Sequence, residues 1–290
     1  MDPKWPFCPA APGRTVGLMS LIDKAARLRE LHLSGSLLIL PNVWDAASAQ
    51  ALASAGFPAL ATASAAVSHV LGYEDGEGAP PEEMFAAAAR IARSVDVPVT
   101  VDAESGYGLT PAELAECLRE AGAVGCNLED TLHGEAAGEV ASVAGEERRR
   151  PKARHVLADL KVQADRVREL READRHLVIN ARTDVFLDGA LPGASPADVL
   201  EEAVARGRAY LDAGADCVFP IMVTDEAVIG ALVERIPGPV SILYRPGVPS
   251  PARLAELGVA RVTFGPGLHR ATMAVLGDLA GRLREGAAPY

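Results

Sequence analysis

Aromatic residues and cysteines are scarce in this sequence. Phe, Trp and Tyr make up 4% of the 290 residues, a content that suits packed helix–strand layers better than stacking platforms for nucleic-acid bases. The four cysteines are scattered, form no CxxC pair and have no histidines at metal-ligand spacing. We therefore expect idle, reduced thiols, with neither a zinc site nor a disulfide framework.

An excess of positive charge and long apolar segments are also absent. The chain has 39 acidic and 28 basic residues, and its net charge of −11 argues against nucleic acid and anionic membranes as partners. No apolar run approaches the roughly 18 residues of a membrane span, and the first residues contain no apolar stretch of a secretory signal. We expect a soluble, cytoplasmic protein that acts on a small molecule.

The sequence does contain a series of short apolar runs, each followed by a helical pattern. The runs mostly do not alternate between apolar and polar residues, which is typical of strands buried on both faces. They span residues 37–42, 59–64, 98–104, 124–130, 177–184, 217–222, 240–244 and 261–266. Eight β-then-α units predict an α/β fold, a closed parallel (β/α)8 TIM barrel. The alternative is a doubly wound open sheet, but "LPNVWDAAS" after the first run is not the glycine-rich turn that such a sheet normally has.

Helix start signals support these units. Thr110–Glu113 and Ser195–Asp198 each combine an N-cap, a proline at the first helical position and an acidic residue at the third. Asp45 is predicted to be the N-cap of the first barrel helix. The chain divides into a flexible, proline-rich arm, residues 1–17, and one barrel domain, residues 18–290.

Three segments between strands and helices are longer than the others: one near residues 68–81, one at 131–157, and "LDGALPGAS" at 187–195. Each follows the carboxyl end of a predicted strand, the face where barrel enzymes keep their sites. Long loops at that face are candidates for lids that close over a substrate.

Acidic side chains gather at the same predicted face. Asp102 and Glu104, in "VDAESGYG", lie two residues apart and so point to one side of a strand, where like charges repel unless a cation or a proton lies between them. Glu129 ends the next strand and Arg182 lies at the end of the one after it. Oxygen ligands favour Mg²⁺ or Mn²⁺, and Arg182 can grip a carboxylate with two parallel hydrogen bonds. These residues predict a metal site that binds a small carboxylate substrate.

Each residue also has a simpler structural interpretation. Asp102 or Glu129 taken singly would cap the following helix, and Arg182 would pair with a neighbouring acid. Asp130 and Asp184 are predicted to be orienting or capping residues rather than metal ligands. The combination on consecutive strands favours the metal site.

The sequence resembles the isocitrate lyase / phosphoenolpyruvate mutase superfamily over about residues 40–280. The matching segments, in family order, are "LPNVWDAASAQ", "LATASAAV", "LGYEDGEG", "VDAESGYG", "CNLED", "INARTD" and "FGPGLHRA". The acidic pair before Gly-Tyr-Gly is the most specific of them. The resemblance implies a barrel whose eighth helix is exchanged between subunits, and hence a homo-oligomer, a tetramer or a dimer.

The resemblance also implies roles for individual residues. Asp102, Glu104 and Glu129 would hold Mg²⁺ (or Mn²⁺), largely through water. Arg182 would bind the substrate carboxylate. The hydroxyl of Ser64 and the backbone amide of Ala65 would bind its other end, and Asp75, on the loop after the second strand, would point at the bound metal–substrate group.

The sequence departs from this family in the loop after the fourth strand. The family's lyases carry Lys-Lys-Cys-Gly-His there, with the cysteine as proton donor, whereas this loop contains no cysteine and lacks the mutase pattern as well. Replacement acids or bases in the loop are His133, Glu135, Lys152 and His155. Tyr244, at the end of the seventh strand, is a further candidate, although a packed tyrosine is the simpler interpretation.

The leading functional hypothesis is a Mg²⁺-dependent lyase that cleaves a C–C bond of a small 2-hydroxy or 2-oxo (di)carboxylic acid through a metal-stabilised enolate. The enzyme alternatives are P–C bond chemistry, of the phosphoenolpyruvate mutase or phosphonopyruvate hydrolase type, and oxaloacetate decarboxylation. A non-catalytic, ligand-binding barrel that has lost its proton donor is the remaining alternative.

Overall fold

The structure, a computed structural model, describes residues 19–133 and 155–288. Its strands are short and begin close to the predicted apolar runs. They are β1 (Leu38–Leu40), β2 (Asn42–Val43), β3 (Leu60–Thr62), β4 (Val99–Asp102), β5 (Gly125–Glu129), β6 (Thr131–Leu132), β7 (Val156–Leu157), β8 (Val178–Thr183), β9 (Cys217–Pro220), β10 (Ser241–Leu243) and β11 (Arg261–Thr263).

Helices separate the parallel strands. Within the described residues they are α1 (Leu21–Leu33), α2 (Ala46–Ser54), α3 (Ser64–Leu71), α4 (Pro81–Ala92), α5 (Pro111–Glu120), α6 (Leu160–Ala173), α7 (Pro196–Asp212), α8 (Glu226–Arg235), α9 (Pro251–Glu256) and α10 (Gly267–Arg284). None of the described helices is both long and apolar enough to cross a membrane.

The strand pairings form a closed ring. Six strands pair in parallel in the order β2-β3-β4-β5-β8-β9, and three more in the order β10-β11-β1. A parallel bridge between Val218 and Val240 joins β9 to the start of β10. At the other junction β1 and β2 are one extended segment, interrupted at Pro41 because proline has no N–H to donate. The predicted (β/α)8 barrel is confirmed, and the open-sheet alternative is wrong.

The predicted helix starts are confirmed as well. Asp45 caps α2 and accepts a hydrogen bond from the Ser48 amide. Thr110 and Ser195 each form a reciprocal capping box with the acidic residue three positions later. Such caps satisfy amide groups that have no partner inside the helix, so they fix where each helix leaves the barrel face.

The barrel interior is polar in the half nearer the carboxyl ends of the strands. Asp102, Asn127 and Asn180 are paired in register on β4, β5 and β8, and therefore point to one side of the sheet. One step nearer the carboxyl ends of the strands, Glu129 is paired with Arg182. The parallel register thus stacks these side chains in layers that lead to the candidate site.

Two of the predicted lid segments need correction. The first, residues 68–81, begins inside helix α3, which continues to Leu71, so the loop itself spans residues 72–80. The second, residues 131–157, starts and ends as an antiparallel ribbon in which Thr131 pairs with Leu157 and Leu132 with Val156. Residues 134–154 of that segment, and the predicted arm at residues 1–17, lie outside the described residues.

Candidate active site

Buried carboxylates lie at the carboxyl ends of β4 and β5. Glu104 and Glu129 are 2% and 3% exposed, and Asp102 is partly buried between them and α3. The predicted strand through Glu104 is too long, because β4 ends at Asp102 and Glu104 adopts a left-handed backbone conformation with φ 48°. Its side chain is therefore aimed by a turn rather than by strand alternation.

Asp102 is held by the start of helix α3. Its Oδ2 atom accepts hydrogen bonds from the Ser64 amide at 3.1 Å and the Ser64 hydroxyl at 3.0 Å. Its Oδ1 atom receives only a long bond, 3.4 Å, from the side-chain amide of Asn127. This oxygen keeps most of its capacity to bind a cation. Ser64, predicted to bind substrate, here binds Asp102, and Ala65 follows it in the first turn of α3, where helix amides point towards anions.

Both oxygens of Glu104 accept hydrogen bonds. The Tyr107 hydroxyl donates to Oε1 at 2.6 Å, and the Glu77 amide donates to Oε2 at 2.6 Å. Glu104 therefore reaches a cation more readily through a water molecule than directly. Burial is the main reason why the pKa of Glu104 is raised to about 8, and the charges of Asp102 and Asp75 raise it further, although the Tyr107 bond lowers it.

Glu129 lies between a histidine and an arginine. Its Oε1 atom is 2.6 Å from His133 Nε2, and its Oε2 atom is 2.5 Å from a terminal nitrogen of Arg182. Burial raises the pKa of Glu129 to about 7, although the nearby positive charge of Arg182 acts in the opposite direction and lowers it. Burial lowers the pKa of His133, but the hydrogen bond to Glu129 together with the charges of Glu129, Glu77 and Glu104 leaves that pKa above its ordinary value.

Asp184 orients the arginine. The Nε and Nη2 atoms of Arg182 donate to the two oxygens of Asp184 at 2.6 and 3.0 Å, and the Thr131 hydroxyl also donates to Asp184, at 2.5 Å. Each terminal nitrogen of the guanidinium carries a second hydrogen, so Arg182 can still bind a substrate carboxylate while Asp184 and Glu129 hold it.

The structure brings Asp75 to this cluster but not Tyr244. Asp75 is an exposed residue, but desolvation of its carboxyl and the charge of Asp102 raise its pKa, which places the carboxyl near Asp102. The Tyr244 ring packs edge-on against Phe264, with ring centroids 5.9 Å apart, at the edge of an apolar cluster, and no hydrogen bond among the described residues joins its hydroxyl to the acids. His155 directly precedes β7, and His133 directly follows β6, while Glu135 and Lys152 lie outside the described residues.

The donor set suits a hard divalent cation. The charge of Asp102 raises the pKa of Asp75, Glu104 and Glu129. Arg182 and, when protonated, His133 contact Glu129 as cations. Mg²⁺ and Mn²⁺ prefer such oxygen atoms and keep several waters. Among residues 19–133 and 155–288, no three acidic, histidine or cysteine side chains already surround one point as ligands. The residues fit an ion held partly through water.

Without a metal ion, we expect the thermal stability of the protein to fall as the pH rises from about 6 to about 8.5. The pKa values of Glu104 and Glu129 in the fold are about 8 and about 7, above the ordinary 4.5. The stability that these protonated carboxyls contribute at low pH is lost as the pH rises through those values. Calorimetry in EDTA should show a fall of at least about 2 °C in the unfolding midpoint.

Mg²⁺ should reverse this effect. Because ligation needs ionised carboxylates, the added ion should stabilise the protein more at the higher pH than at the lower one. An equal Mg²⁺ effect at both pH values would contradict the role of these two glutamates.

Several side chains at the site were not predicted from the sequence. Asn127 lies two residues before Glu129, so the alternation rule that paired Asp102 with Glu104 would have placed it inside the barrel. Glu77 and Tyr107 had no such signal, because their contacts depend on left-handed turns with φ 60° and 56°.

Comparisons with known proteins give consistent similarities. Residues 28–284 match the family described as phosphoenolpyruvate phosphomutase. The chain is 32% identical to an oxaloacetate decarboxylase of Rhodopseudomonas palustris, over 93% of this chain and 88% of that one. It is 28% identical to a 2-methylisocitrate lyase of Bacillus subtilis, over 75% of this chain and 66% of the relative.

Solved structures show the same similarity. A crystal structure from Burkholderia cenocepacia J2315, named as a candidate phosphonomutase, has 40% sequence identity and a TM-score of 0.75, and covers 89% of this chain and 99% of its own. A 2,3-dimethylmalate lyase, described as a PEP mutase/isocitrate lyase superfamily member, has 26% identity and a TM-score of 0.74, and covers 92% and 89% of the two chains.

Proposed function

Because the chain belongs to the phosphoenolpyruvate phosphomutase family, within the PEP mutase/isocitrate lyase superfamily, we propose that it is a Mg²⁺- or Mn²⁺-dependent carbon–carbon lyase. Its substrate is a small 2-hydroxy or 2-oxo (di)carboxylic acid, and one product is a 2-oxo acid. The observation that carries the proposal is the contact of Glu129 with both His133 and Arg182 beside the acidic cluster. A non-catalytic barrel is not retained, because relatives named 2-methylisocitrate lyase and 2,3-dimethylmalate lyase are enzymes.

The C–C bond cleavage releases one proton and takes up one proton, so it needs no net proton. The substrate hydroxyl loses a proton as its carbon becomes the carbonyl of the 2-oxo acid, and the electron pair of the broken C–C bond stays on the departing carbon, which then takes up a proton. When bound, the divalent ion supplies Lewis-acid stabilisation of negative charge on the substrate oxygens. Asp102, Glu104 and Glu129 would hold it, while Arg182 binds the substrate carboxylate and Asp75 faces the reacting group.

His133 is the proposed proton donor in place of the family's loop cysteine. Glu129 lies 2.6 Å from the imidazole, and its hydrogen bond and charge raise the pKa of His133, which favours the protonated ring that a proton donor needs. The loop of residues 72–80 covers this histidine, since a Cβ atom on Gly76 would lie 3.6 Å from His133 Nδ1. A covered, protonated imidazole can protonate a carbanion before water does.

Oxaloacetate decarboxylation is the second candidate function. The similarity to an oxaloacetate decarboxylase extends over 93% of the chain, a larger share than the similarity to the 2-methylisocitrate lyase. This reaction needs stabilisation of the enolate and of the carboxylate but no deprotonation of a hydroxyl group. Decarboxylation therefore uses only the acidic cluster and Arg182, whose contacts lie within the described residues.

Purified protein with Mg²⁺ and a panel of 2-hydroxy and 2-oxo acids tests the function. We expect one acid to yield pyruvate, glyoxylate or a close analogue, and EDTA to abolish that turnover. Phosphorus NMR on phosphonopyruvate separates the P–C alternative. Turnover that survives EDTA would contradict the metal role.

His133→Asn separates the two leading reactions. We expect it to reduce lyase turnover about 10²-fold or more, since general acid catalysis typically contributes that much. Decarboxylation should change less, because solvent can protonate its product. Full lyase activity in this variant would exclude His133 as the donor, and His176→Asn, at an exposed position far from the site, is the matched control.

The remaining parts of the proposal concern assembly and location. We propose a cytoplasmic homo-oligomer that exchanges helix α10, supported by four exposed apolar side chains on that helix, Met273, Val275, Leu276 and Leu283. Light scattering would measure the mass against the 30.2 kDa of one chain.

A further inference from the structure

Glu77 ties the loop of residues 72–80 to the turn that follows β4. Its Oε1 atom accepts hydrogen bonds from the Ser105 hydroxyl at 2.6 Å and from the Tyr107 amide at 2.6 Å. Its own amide donates to Glu104 at 2.6 Å. One residue of the loop thus makes three bonds to three neighbouring residues of a different segment, which fixes both its backbone and its side chain.

The backbone around these bonds is unusual. Glu77, Glu104 and Tyr107 all have positive φ angles, 60°, 48° and 56°, although none of them is glycine. Such conformations cost free energy and persist where the surrounding contacts determine them, which occurs most often at functional sites. All three residues belong to the same contact, so these hydrogen bonds offset the backbone cost on both sides of it.

A positive charge lies close to the Glu77 carboxylate. Arg166 of helix α6 packs behind the turn, where its Nη2 atom lies 2.5 Å from the place that a Cβ on Gly106 would take. Burial lowers the pKa of Arg166, and the charge of Glu77 opposes that change. The glycine leaves room for the arginine, and the arginine compensates a carboxylate that would otherwise add to the acidic cluster.

The position of Glu77 determines what the loop does at the site. Asp75 lies two residues before it and close to Ser64 and Asp102. Gly76, between the two acids, lies over the His133 ring. We propose that Glu77 is a positioning residue that docks the loop on Ser105 and Tyr107, holds Asp75 over the cluster and links that docked state to Glu104. The link to Glu104 rests on the proposed metal site, whereas the docking does not.

Docking of the loop and binding of a cation at Glu104 are expected to favour each other. The amide of Glu77 donates to Oε2 of Glu104 and so fixes the position of that carboxylate when the loop is docked. A cation held by Glu104 needs the carboxylate in that position and so favours the docked loop. By reciprocity, the docked loop favours the cation. Loss of the Glu77 carboxylate contacts should therefore loosen the loop and weaken metal binding together.

The experiment compares Glu77→Ala with Glu74→Ala. Glu74 lies exposed on the same loop and carries the same charge, so its variant controls for the change in net charge. Alanine removes the acceptor of both the Ser105 and the Tyr107 hydrogen bonds, so in Glu77→Ala without metal we expect amide hydrogen exchange at residues 73–79 to accelerate about 10-fold or more. We expect its Kd for Mn²⁺, from titration followed by electron paramagnetic resonance, to rise about five-fold or more above that of Glu74→Ala.

Ser105→Ala is a second variant, which removes one donor to Glu77 without changing any charge. It should accelerate exchange at the same amides by less than Glu77→Ala does. Unchanged exchange in Glu77→Ala would overturn the docking role. Faster exchange with the Mn²⁺ affinity of the Glu74 control would overturn the link to Glu104. If the unmodified protein binds no Mn²⁺, the metal proposal and the link to Glu104 both fail, and the exchange data decide the docking alone.

Discussion

Arg182→Met is expected to lower kcat/KM by about three orders of magnitude. The guanidinium contacts both Glu129 and Asp184, and its remaining hydrogens are the donors placed for a substrate carboxylate. Removing one preorganised donor at a charged transition state typically costs about 10²–10³-fold, and here the contact to Glu129 is lost as well. Steady-state kinetics on the substrate identified in the panel would measure the change.

Two further variants locate the cause of this loss. Arg182→Lys keeps the charge but not the planar fork, so we expect most of the loss to remain. Arg208→Met removes an exposed arginine that contacts only the Arg235 carbonyl among the described residues, and it should leave turnover unchanged. Activity within about tenfold of the unmodified enzyme in a folded Arg182→Met protein would contradict the substrate role of this residue.

Asp130→Ala is expected to reduce the free energy of unfolding by about 3–5 kcal/mol. Asp130 is 1% exposed, and its Oδ2 atom accepts from Arg206 at 3.0 Å and from the Tyr210 hydroxyl at 2.8 Å, while Oδ1 accepts from the Asp184 amide at 2.8 Å. The variant leaves the buried Arg206 guanidinium without this partner. Urea unfolding followed by circular dichroism measures the loss.

A double variant identifies the source of that cost. In Asp130→Ala with Arg206→Met, the unpaired charge is also removed, so we expect stability to recover in part. Asp225→Ala removes an exposed N-cap of α8 and should cost only about 1 kcal/mol. A loss for Asp130→Ala no larger than for this control would show that the buried contacts contribute little. The Asp184 amide donates to Asp130, and Asp184 in turn holds Arg182. Asp130→Ala should therefore also cause a modest loss of activity.

The fold could be predicted from the sequence because its signals are local. Strands buried on both faces appear as short apolar runs. Helix starts such as Thr110 and Ser195 are recognisable from the cap residue and the acidic residue three positions later. Topology then places the carboxyl ends of all parallel strands on one face. For that reason Asp102, Glu129 and Arg182 were predicted to lie together before any side-chain direction was known.

The details of the site could not be predicted in the same way. Glu104 was assigned to a strand, but a left-handed turn directs it towards Tyr107 and Glu77. The sequence also gave no reason why Arg182 should divide its donors between Glu129 and Asp184. Such choices depend on contacts between segments that are far apart in the chain, and short-range patterns do not record them.

The antiparallel ribbon of β6 and β7 has a consequence for how this scaffold can change. Leu132 and Val156 lie opposite each other, so the two ends of the intervening segment are held side by side directly beyond Glu129. Doubling the length of a chain segment between two such fixed ends costs only about 0.6 kcal/mol of closure entropy. A segment with other acid–base groups can therefore replace the one between β6 and β7 while the metal and carboxylate contacts of the site stay in place. The ribbon is thus a suitable insertion point for changing the reaction.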